Sequence, residues 1–192
     1  MAVQASKSES SFLWPEGELG HKISAMKAIL LALFLVVTAS AGDIQVFFSP
    51  QGGCTEAVAE NLNKATNSVL VQAYSFTSAP IAKALVDAEK RGVKVQVILD
   101  KSQRTEKYSE ADFLLHEGVP TWIDARHAIA HNKIMIIDGK TVLTGSFNFT
   151  KAAENNNAEN LLVIQDVALA AKYTTNWQVH LKHSDVYQGK AR

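Results

Sequence analysis

The segment His131-Asn-Lys-Ile-Met-Ile-Ile-Asp138-Gly-Lys-Thr141-Val-Leu-Thr-Gly-Ser-Phe-Asn148 consists of two apolar runs separated by a short polar turn. Asp-Gly between two such runs is among the strongest local signals for a β-hairpin. Apolar residues fill most of both runs, so the polar side chains are concentrated at the two outer ends. We therefore predict a hairpin whose open end carries the functional groups.

The register of this hairpin decides which side chains meet. If the loop is Gly139-Lys140, Lys133 lies opposite Ser146, and His131 lies opposite Asn148. Side chains two residues apart on a strand lie on the same face of the sheet, and so do directly opposed side chains. The four polar side chains would therefore converge. The other two-residue register keeps this face, whereas a loop of odd length would separate the groups. We predict an even loop and a patch suited to an anionic, tetrahedral substrate.

The rest of the chain alternates between strand and helix patterns. Strand patterns cover residues 44–48, 68–76, 94–100, 119–124, 133–138, 141–146 and 161–165, and helical patterns cover 55–65, 79–91, a short stretch ending at 118, and 167–182. This alternation predicts an α/β fold in which a mixed β-sheet is flanked by helices, an α/β/α sandwich. No repeat or linker divides residues 42–192, so we expect a single domain there.

The first 41 residues have a different character. Residues 28–37 form an apolar run followed by Thr38-Ala-Ser-Ala41, which is the pattern of a signal peptide and its cleavage site. A membrane anchor is the alternative, but a spanning helix needs about 20 apolar residues. Met26-Lys27 would make a compact start, so we interpret residues 1–25 as an over-extended reading frame. We expect a secreted or periplasmic protein without stable membrane association after cleavage.

Charge and cysteine usage narrow the range of functions. Lys plus Arg number 19 and so do Asp plus Glu, so no overall positive field marks the chain as a binder of duplex DNA. Any affinity for nucleic acid must come from a local cluster. Cys54 is the only cysteine, so export brings no internal disulfide. We expect a buried or capping thiol, with a catalytic thiol as the alternative.

The spacing His131-x-Lys133-x4-Asp138-x6-Gly145-Ser146-x-Asn148 resembles the full signature of the phospholipase D superfamily. The run Ala158-Glu159-Asn160 resembles the later acidic position of that family. The motif occurs once, because His180-x-Lys182 imitates its start but Tyr187 stands where Asp is required. The resemblance covers nearly all of residues 42–192 and is closest to the small single-motif bacterial endonucleases. It implies a phospholipase D-like catalytic domain.

The resemblance also implies a mechanism. His131 would attack phosphorus and form a covalent phosphohistidine. Lys133 and Asn148 would bind the substrate and donate hydrogen bonds to its phosphate oxygens, so that no metal or other cofactor is needed. Ser146 would add a donor or orient a neighbour, and Glu159 would hold the other ring nitrogen of His131.

Three further assignments rest on the residues themselves. Asp138 sits at the turn on the opposite strand parity from His131, so we assign it a structural role. Lys101 and Arg104 follow the end of a strand, where α/β sheets place ligand contacts, and are expected to bind substrate unless they belong to a solvated loop. The spacing of His127 and His131 is compatible with metal ligands on a helix, but the following residues predict a strand, and we expect no metal site.

Three classes of function remain open. Hydrolysis of DNA or RNA phosphodiesters is favoured, because the chain is minimal and has no lipid-binding insertion or interfacial helix. Hydrolysis or transfer of lipid head groups by the same chemistry is the second, and a non-enzymatic binding module with a relic site is the third. The reaction needs a nucleophile and a separate acid, and one motif supplies one imidazole. We therefore expect a homodimer that shares its active site at the interface.

Overall fold

The computed structural model describes residues 43–190, which form one mixed β-sheet with helices on both faces. The strands are β1 (Ile44–Ser49), β2 (Ser68–Ala73), β3 (Lys94–Asp100), β4 (Thr121–Asp124), β5 (Lys133–Ile137), β6 (Thr141–Gly145), β7 (Glu159–Gln165) and β8 (Asp185–Val186). The helices are α1 (Cys54–Asn63), α2 (Ala79–Lys90), α3 (Ala111–His116), α4 (Lys151–Asn155) and α5 (Val167–Leu181), and Lys101–Arg104 form a 3₁₀ turn. The predicted α/β sandwich is confirmed.

The eight strands lie in the order β1-β7-β6-β5-β2-β3-β4-β8. Strand β3 runs parallel to both of its neighbours, β2 and β4, and all other neighbouring pairs are antiparallel. The carboxyl ends of β2, β3 and β4 therefore share one edge of the sheet with the start of β5 and the end of β6. Open α/β sheets bind their ligands at such an edge.

The two faces of the sheet bury different cores because side chains alternate along each strand. Met135 and Ile137 of β5 join the larger core, which contains α1 and α2, whereas Ile134 and Ile136 face the smaller core under α5. Trp177 of α5 is 1% exposed and its indole N–H donates to the Val71 carbonyl at 2.8 Å. This bond ties the last helix to a central strand.

Most of the predicted elements are present, with shifts at their ends. Strand β2 ends three residues before the predicted end at Phe76, and the Asn-rich connection contains the short helix α4, which the sequence pattern did not indicate. Cys54 is buried, and burial together with the nearby Glu154 carboxylate raises the pKa of its thiol to about 11. A buried thiol of this kind is unreactive.

The signal peptide predicted over residues 1–41 lies outside the described residues. Within residues 43–190, the helices are too short or too polar to cross a membrane.

The hairpin loop differs from the prediction. Ile137 pairs with Thr141, so the loop contains three residues, Asp138-Gly139-Lys140. Asp138 and Gly139 both have left-handed backbone angles, with φ of 53° and 63°. The predicted two-residue loop was wrong. Continuing the observed register places Lys133 opposite Gly145 and not opposite Ser146, so the strand pairing does not put the four polar side chains on one face as predicted. Strand β6 ends at Gly145, and Ser146 and Asn148 lie in the segment that follows it.

Candidate active site

His131 lies at the end of a loop that crosses the ligand-binding edge of the sheet. This crossing loop, residues 125–132, leaves β4 and enters β5. Asp100, the last residue of β3, accepts a 2.7 Å hydrogen bond from the Ala130 N–H, and the Lys101 Nζ donates to the His127 carbonyl at 3.0 Å. These contacts from the end of β3 and the 3₁₀ turn after it fix the path of the loop, while His131 itself is exposed.

Tyr74 orients the exposed imidazole. Its ring centroid lies 4.6 Å from that of His131, with a tilt of 52° between the planes. The Tyr74 N–H donates to the Asn132 carbonyl at 2.9 Å, which extends the pairing of β2 and β5 by one residue. The aromatic ring therefore limits the motion of the imidazole without occupying a ring nitrogen in a salt bridge.

Lys133 brings a cation beside this ring pair. The residue is 7% exposed, its Nζ donates to the His131 carbonyl at 2.8 Å, and the Nζ lies 5.0 Å from the centroid of Tyr74. Burial lowers the pKa of Lys133 from its usual value, and the negative charge of Glu159 acts in the opposite direction. An ammonium group has three donors, so Lys133 can also bind anionic oxygen atoms beside the imidazole.

Gly145 allows β7 to approach the end of β6. A side chain at this position would place its Cβ 2.1 Å from the Asn160 carbonyl oxygen, and the φ of 154° also favours glycine. Beyond this contact, the Asn160 N–H donates to the Ser146 Oγ at 3.0 Å, and the Phe147 N–H donates to the Asn160 carbonyl. Ser146 thus accepts a backbone hydrogen bond and keeps its own hydroxyl proton for another acceptor.

Asn148 follows the same strand end and is held by its neighbours. Phe147 and Phe149 on either side are buried, and the Asn148 carbonyl accepts from the Thr150 N–H at 2.7 Å. Its side-chain Oδ1 is buried and has no hydrogen-bond partner among residues 43–190. An unpaired buried amide is costly unless a ligand or solvent completes it.

Asp138 lies at the hairpin turn, where its carboxylate is bound by backbone groups of the segment before β2. Its carboxylate accepts hydrogen bonds from the backbone N–H groups of Thr66, Asn67 and Ser68, at 2.7 to 3.2 Å, and from the Thr66 hydroxyl. Burial alone would raise the pKa of Asp138, but these bonds outweigh it and hold the pKa below its usual range. The residue closes the turn before β2 at the edge of the sheet opposite His131.

Glu159 does not make the contact that was expected of it. Its Oε1 accepts a 3.2 Å hydrogen bond from the Asn157 side chain, and no hydrogen bond within residues 43–190 joins it to the His131 ring. Glu159 pairs in register with Ser49 at the start of β7, two strands away from β5. Its charge acts on Lys133 instead.

The two expected substrate cations lie in different places. Lys101 contacts the crossing loop and is part of the same edge as His131. Arg104 forms an exposed ion pair of 2.9 Å with Asp185 of β8, at the far side of the sheet. The structure therefore brings Lys101, but not Arg104, close to the loop that carries His131.

Tyr74 is a site residue that the sequence analysis missed. It appeared there only as part of a predicted strand. The available signal was its position at the carboxyl end of β2, which is a parallel strand beside β5.

The chain is similar to proteins of known families. A family model described as cardiolipin synthase, PLD-like domain matches residues 58–180. The "Phospholipase D" of Rickettsia conorii is 40% identical over 159 residues, which cover 83% of this chain and 80% of that protein. A mitochondrial cardiolipin hydrolase of Xenopus laevis is 32% identical over 114 residues, which cover 59% of this chain and 54% of that protein.

Two solved structures share the fold. Nuc from Salmonella typhimurium, described as a phospholipase D family member, superposes with a TM-score of 0.74 at 39% identity and covers 77% of this chain and 99% of Nuc. NucT from Helicobacter pylori gives a TM-score of 0.70 at 29% identity, covering 76% of this chain and 99% of NucT.

The fold and the matched family define the class as phospholipase D-like proteins, which have a phosphodiesterase fold built on a mixed sheet. The chain belongs to the phospholipase D superfamily.

Proposed function

We propose that this protein hydrolyses phosphodiester bonds of nucleic acids without a metal ion, with His131 as the nucleophile. The observation that carries the proposal is the group formed by the exposed His131 ring, the Tyr74 ring at 4.6 Å and the Lys133 ammonium. The imidazole is accessible to a phosphate, and the ammonium can bind the phosphate oxygens as the ring attacks. Such positioned charge supplies the largest share of many enzymatic rate enhancements.

The reaction would proceed in two displacements. A nitrogen of neutral His131 forms a bond to phosphorus, the bond from phosphorus to the leaving oxygen breaks, and an acid gives that oxygen its proton. Water then attacks the phosphohistidine, the bond between nitrogen and phosphorus breaks, and the water proton returns to the group that acted as acid. The products are an alcohol and a phosphate monoester.

The neighbouring residues take supporting roles in this proposal. Lys133 and Asn148 stabilise the charge on the non-bridging oxygens, and the free hydroxyl proton of Ser146 adds a further donor. Glu159 keeps Lys133 protonated, which replaces the role in orienting His131 that the resemblance implied. Lys101 is placed to bind the substrate backbone beside the crossing loop.

A twofold dimer would supply the acid. One described domain offers one exposed imidazole beside Lys133, so a second His131 from another copy is the simplest source of the proton. Strand β1 supports this arrangement, because Ile44, Val46 and Phe48 are 57%, 48% and 66% exposed on an edge strand. Phe48 pairs with Asn160, whose N–H binds Ser146, so this apolar patch begins next to the proposed site.

Lipid head groups are the second candidate substrate. They are favoured by the names of the relatives, "Phospholipase D" and "Mitochondrial cardiolipin hydrolase". Nucleic acid is preferred here because the His131 imidazole is exposed and the cationic Lys101 contacts the loop that carries it, which suits a polyanionic backbone that passes over a surface.

One experiment separates these activities. The protein is incubated with plasmid DNA in excess EDTA and, in parallel, with phosphatidylcholine vesicles. We expect nicking and linearisation of the plasmid in EDTA and no release of choline. If EDTA abolishes cleavage by a chain that stays folded and a divalent ion restores it, the mechanism is wrong; choline release without DNA cleavage would assign the lipid activity.

We also propose that the chain is exported. Protein secreted by a bacterial host should then begin at Gly42, as measured by mass spectrometry of the intact chain. Recovery of residues 28–37 in the membrane fraction would instead indicate an anchor.

A further inference from the structure

A second group of titratable side chains lies at the other end of the crossing loop. It consists of Asp124, which ends β4, His127 in the loop, and His180 and His183 at the end of α5. Asp124 is fully buried, whereas the side chains of His180 and His183 are 13% and 17% exposed and that of His127 is 45% exposed. No residue of this histidine cluster takes part in the proposed phosphodiester chemistry.

The three imidazoles converge on one carboxylate oxygen. The Asp124 Oδ2 lies 3.2 Å from His127 Nδ1, 2.8 Å from His180 Nδ1 and 3.3 Å from His183 Nε2. One such atom from each of the four residues lies within 4.8 Å of all the others. In a tetrahedral zinc site with Zn–N bonds of about 2.0–2.1 Å, ligand atoms are separated by about 3.3 Å. Two of the three oxygen-to-nitrogen distances already have this size and the third, to His180, is shorter, so small shifts of the side chains would admit the ion.

The surroundings hold these four groups in place. The Asp124 Oδ1 accepts from the Arg126 N–H at 3.1 Å, which fixes the carboxylate. The Ser184 hydroxyl donates to the His180 carbonyl at 2.8 Å at the end of α5. The first bond orients a ligand side chain, as is typical of metal sites, and the second holds the backbone of His180.

The identity of the donors points to a class of metal. Imidazole nitrogen is a preferred ligand of Zn²⁺ and its neighbours Cu²⁺ and Ni²⁺, whereas Mg²⁺ and Ca²⁺ require oxygen ligands. Four ligands from the protein leave no open position on a tetrahedral ion, which is the arrangement of a structural zinc site.

We propose that Asp124, His127, His180 and His183 bind one Zn²⁺ ion that fastens the end of α5 to the crossing loop. The ion replaces the protons between the imidazoles and the carboxylate, so binding releases protons and joins residues that are far apart in sequence. It lies at one end of the loop whose other end carries His131, and its role is to hold this loop rather than to contact the substrate. The proposal is independent of the substrate of the active site.

The test uses the untagged full chain and Zn²⁺ alone, with binding measured by competition against a chromophoric chelator and stability measured by thermal melting. We expect one Zn²⁺ per chain at this site and a rise in Tm of about 5–10 °C when free Zn²⁺ is 100 times its Kd. Replacing one ligand, as in His183→Gln, should weaken binding by at least about tenfold. The matched control is His116→Gln, an exposed histidine of α3, which should bind as the wild type does.

His127→Gln is the second variant, because this ligand is the most exposed of the four and its replacement leaves the buried part of the cluster intact. If both ligand variants bind Zn²⁺ with wild-type affinity, or if His116→Gln loses affinity to the same extent, the proposal is wrong. Absence of any Zn²⁺-dependent rise in Tm in the wild type would also overturn it.

Discussion

One exposed histidine and a cluster of three lie along the same edge of the sheet and have opposite surroundings. His131 is exposed, touches an aromatic ring and a lysine, and makes no hydrogen bond to a carboxylate within residues 43–190. His127, His180 and His183 all face the buried Asp124. A nucleophile needs an accessible lone pair, whereas metal ligands need several nitrogens aimed at one point. The surroundings of an imidazole, more than its sequence context, therefore decide what it can do.

The largest expected effect separates the two groups directly. His131→Ala should lower DNA cleavage by a factor on the order of 10⁴ or more, because it removes the nucleophile, while Tm stays unchanged. His183→Gln should instead lower Tm in the presence of Zn²⁺, and its loss of activity should follow the folded fraction. Cleavage rates and melting curves of both variants, with His116→Gln as the control, measure this.

Rapid quench with a labelled substrate sharpens the same contrast. We expect the label on His131 in the wild type. Finding it on His127, His180 or His183 would contradict the assignment of the nucleophile.

The two sites also differ in how many chains they need. The histidine cluster is complete within one chain, whereas the proposed active site needs an acid from a second chain. When wild-type protein is refolded with a ninefold excess of His131→Asn, random pairing leaves wild-type dimers as about one hundredth of all dimers. Activity should then be about tenfold below the wild-type fraction of the mixture. Mixing with His116→Gln should leave the activity unchanged. A proportional fall together with a monomeric mass in solution would sink the dimer model.

Asp138 belongs to the same motif as His131, but its carboxylate binds the backbone and stabilises the turn. Asp138→Ala should lower the free energy of unfolding by about 2 kcal/mol, because backbone donors lose a charged acceptor and alanine tolerates left-handed φ poorly. Asp138→Asn should cost less, since asparagine accepts this conformation. Chemical denaturation of both variants measures the difference.

The pH dependence of this effect has a fixed sign. The pKa of Asp138 is lower in the folded chain, so its stabilisation is present above the unfolded pKa of about 3.9 and is lost as the pH falls through the lower folded value. The stability curves of wild type and Asp138→Ala should therefore converge in strong acid. A constant difference down to that pH would contradict an electrostatic origin.

Glu159 is expected to give the smallest effect. Burial lowers the pKa of Lys133 and Glu159 opposes this, so Glu159→Gln should lower it further and move the alkaline limb of the pH–rate profile toward lower pH. If Glu159 instead orients His131, the acidic limb should move. The exposed Glu56→Gln should change neither limb, and profiles of kcat/KM for the three proteins decide between the two roles.

Most of the strands and helices could be predicted from local patterns, with α4 and β8 as the exceptions, but their contacts could not. The segment 131–148 forms the predicted hairpin, yet its loop gained a residue because Asp138 adopts a left-handed φ and binds the backbone at 66–68. Those partners lie 70 to 72 positions away, so the hairpin sequence alone contains no trace of them.

In the candidate site, too, the local spacing could be predicted and the contacts between distant segments could not. The spacing of His131 and Lys133 was enough to place them together, because they are two residues apart at the entry to β5. Tyr74 enters through the pairing of β2 with β5, and Glu159 lies on β7, which β6 separates from β5. Both depend on how distant strands assemble.

The histidine cluster shows the same limit more sharply. The four-residue spacing of His127 and His131 is compatible with metal ligands, but we expected no metal site there. The structure instead brings His127 together with His180 and His183. The local signals were Asp124-x-x-His127 and His180-x-x-His183, two short pairs whose meeting depends on the docking of the last helix.

The docking of α5 also has a consequence for the order of folding. Asp124 and His180 are 56 positions apart, and Val71 and Trp177 are 106 apart, whereas the hairpin of β5 and β6 closes through a three-residue loop. Contacts with short loops form early, and those between distant segments pay a larger entropy of closure. We therefore expect the hairpin to be ordered in the transition state before α5 docks. Changes at the end of α5 should then mainly accelerate unfolding, so this helix would govern how long the folded enzyme survives.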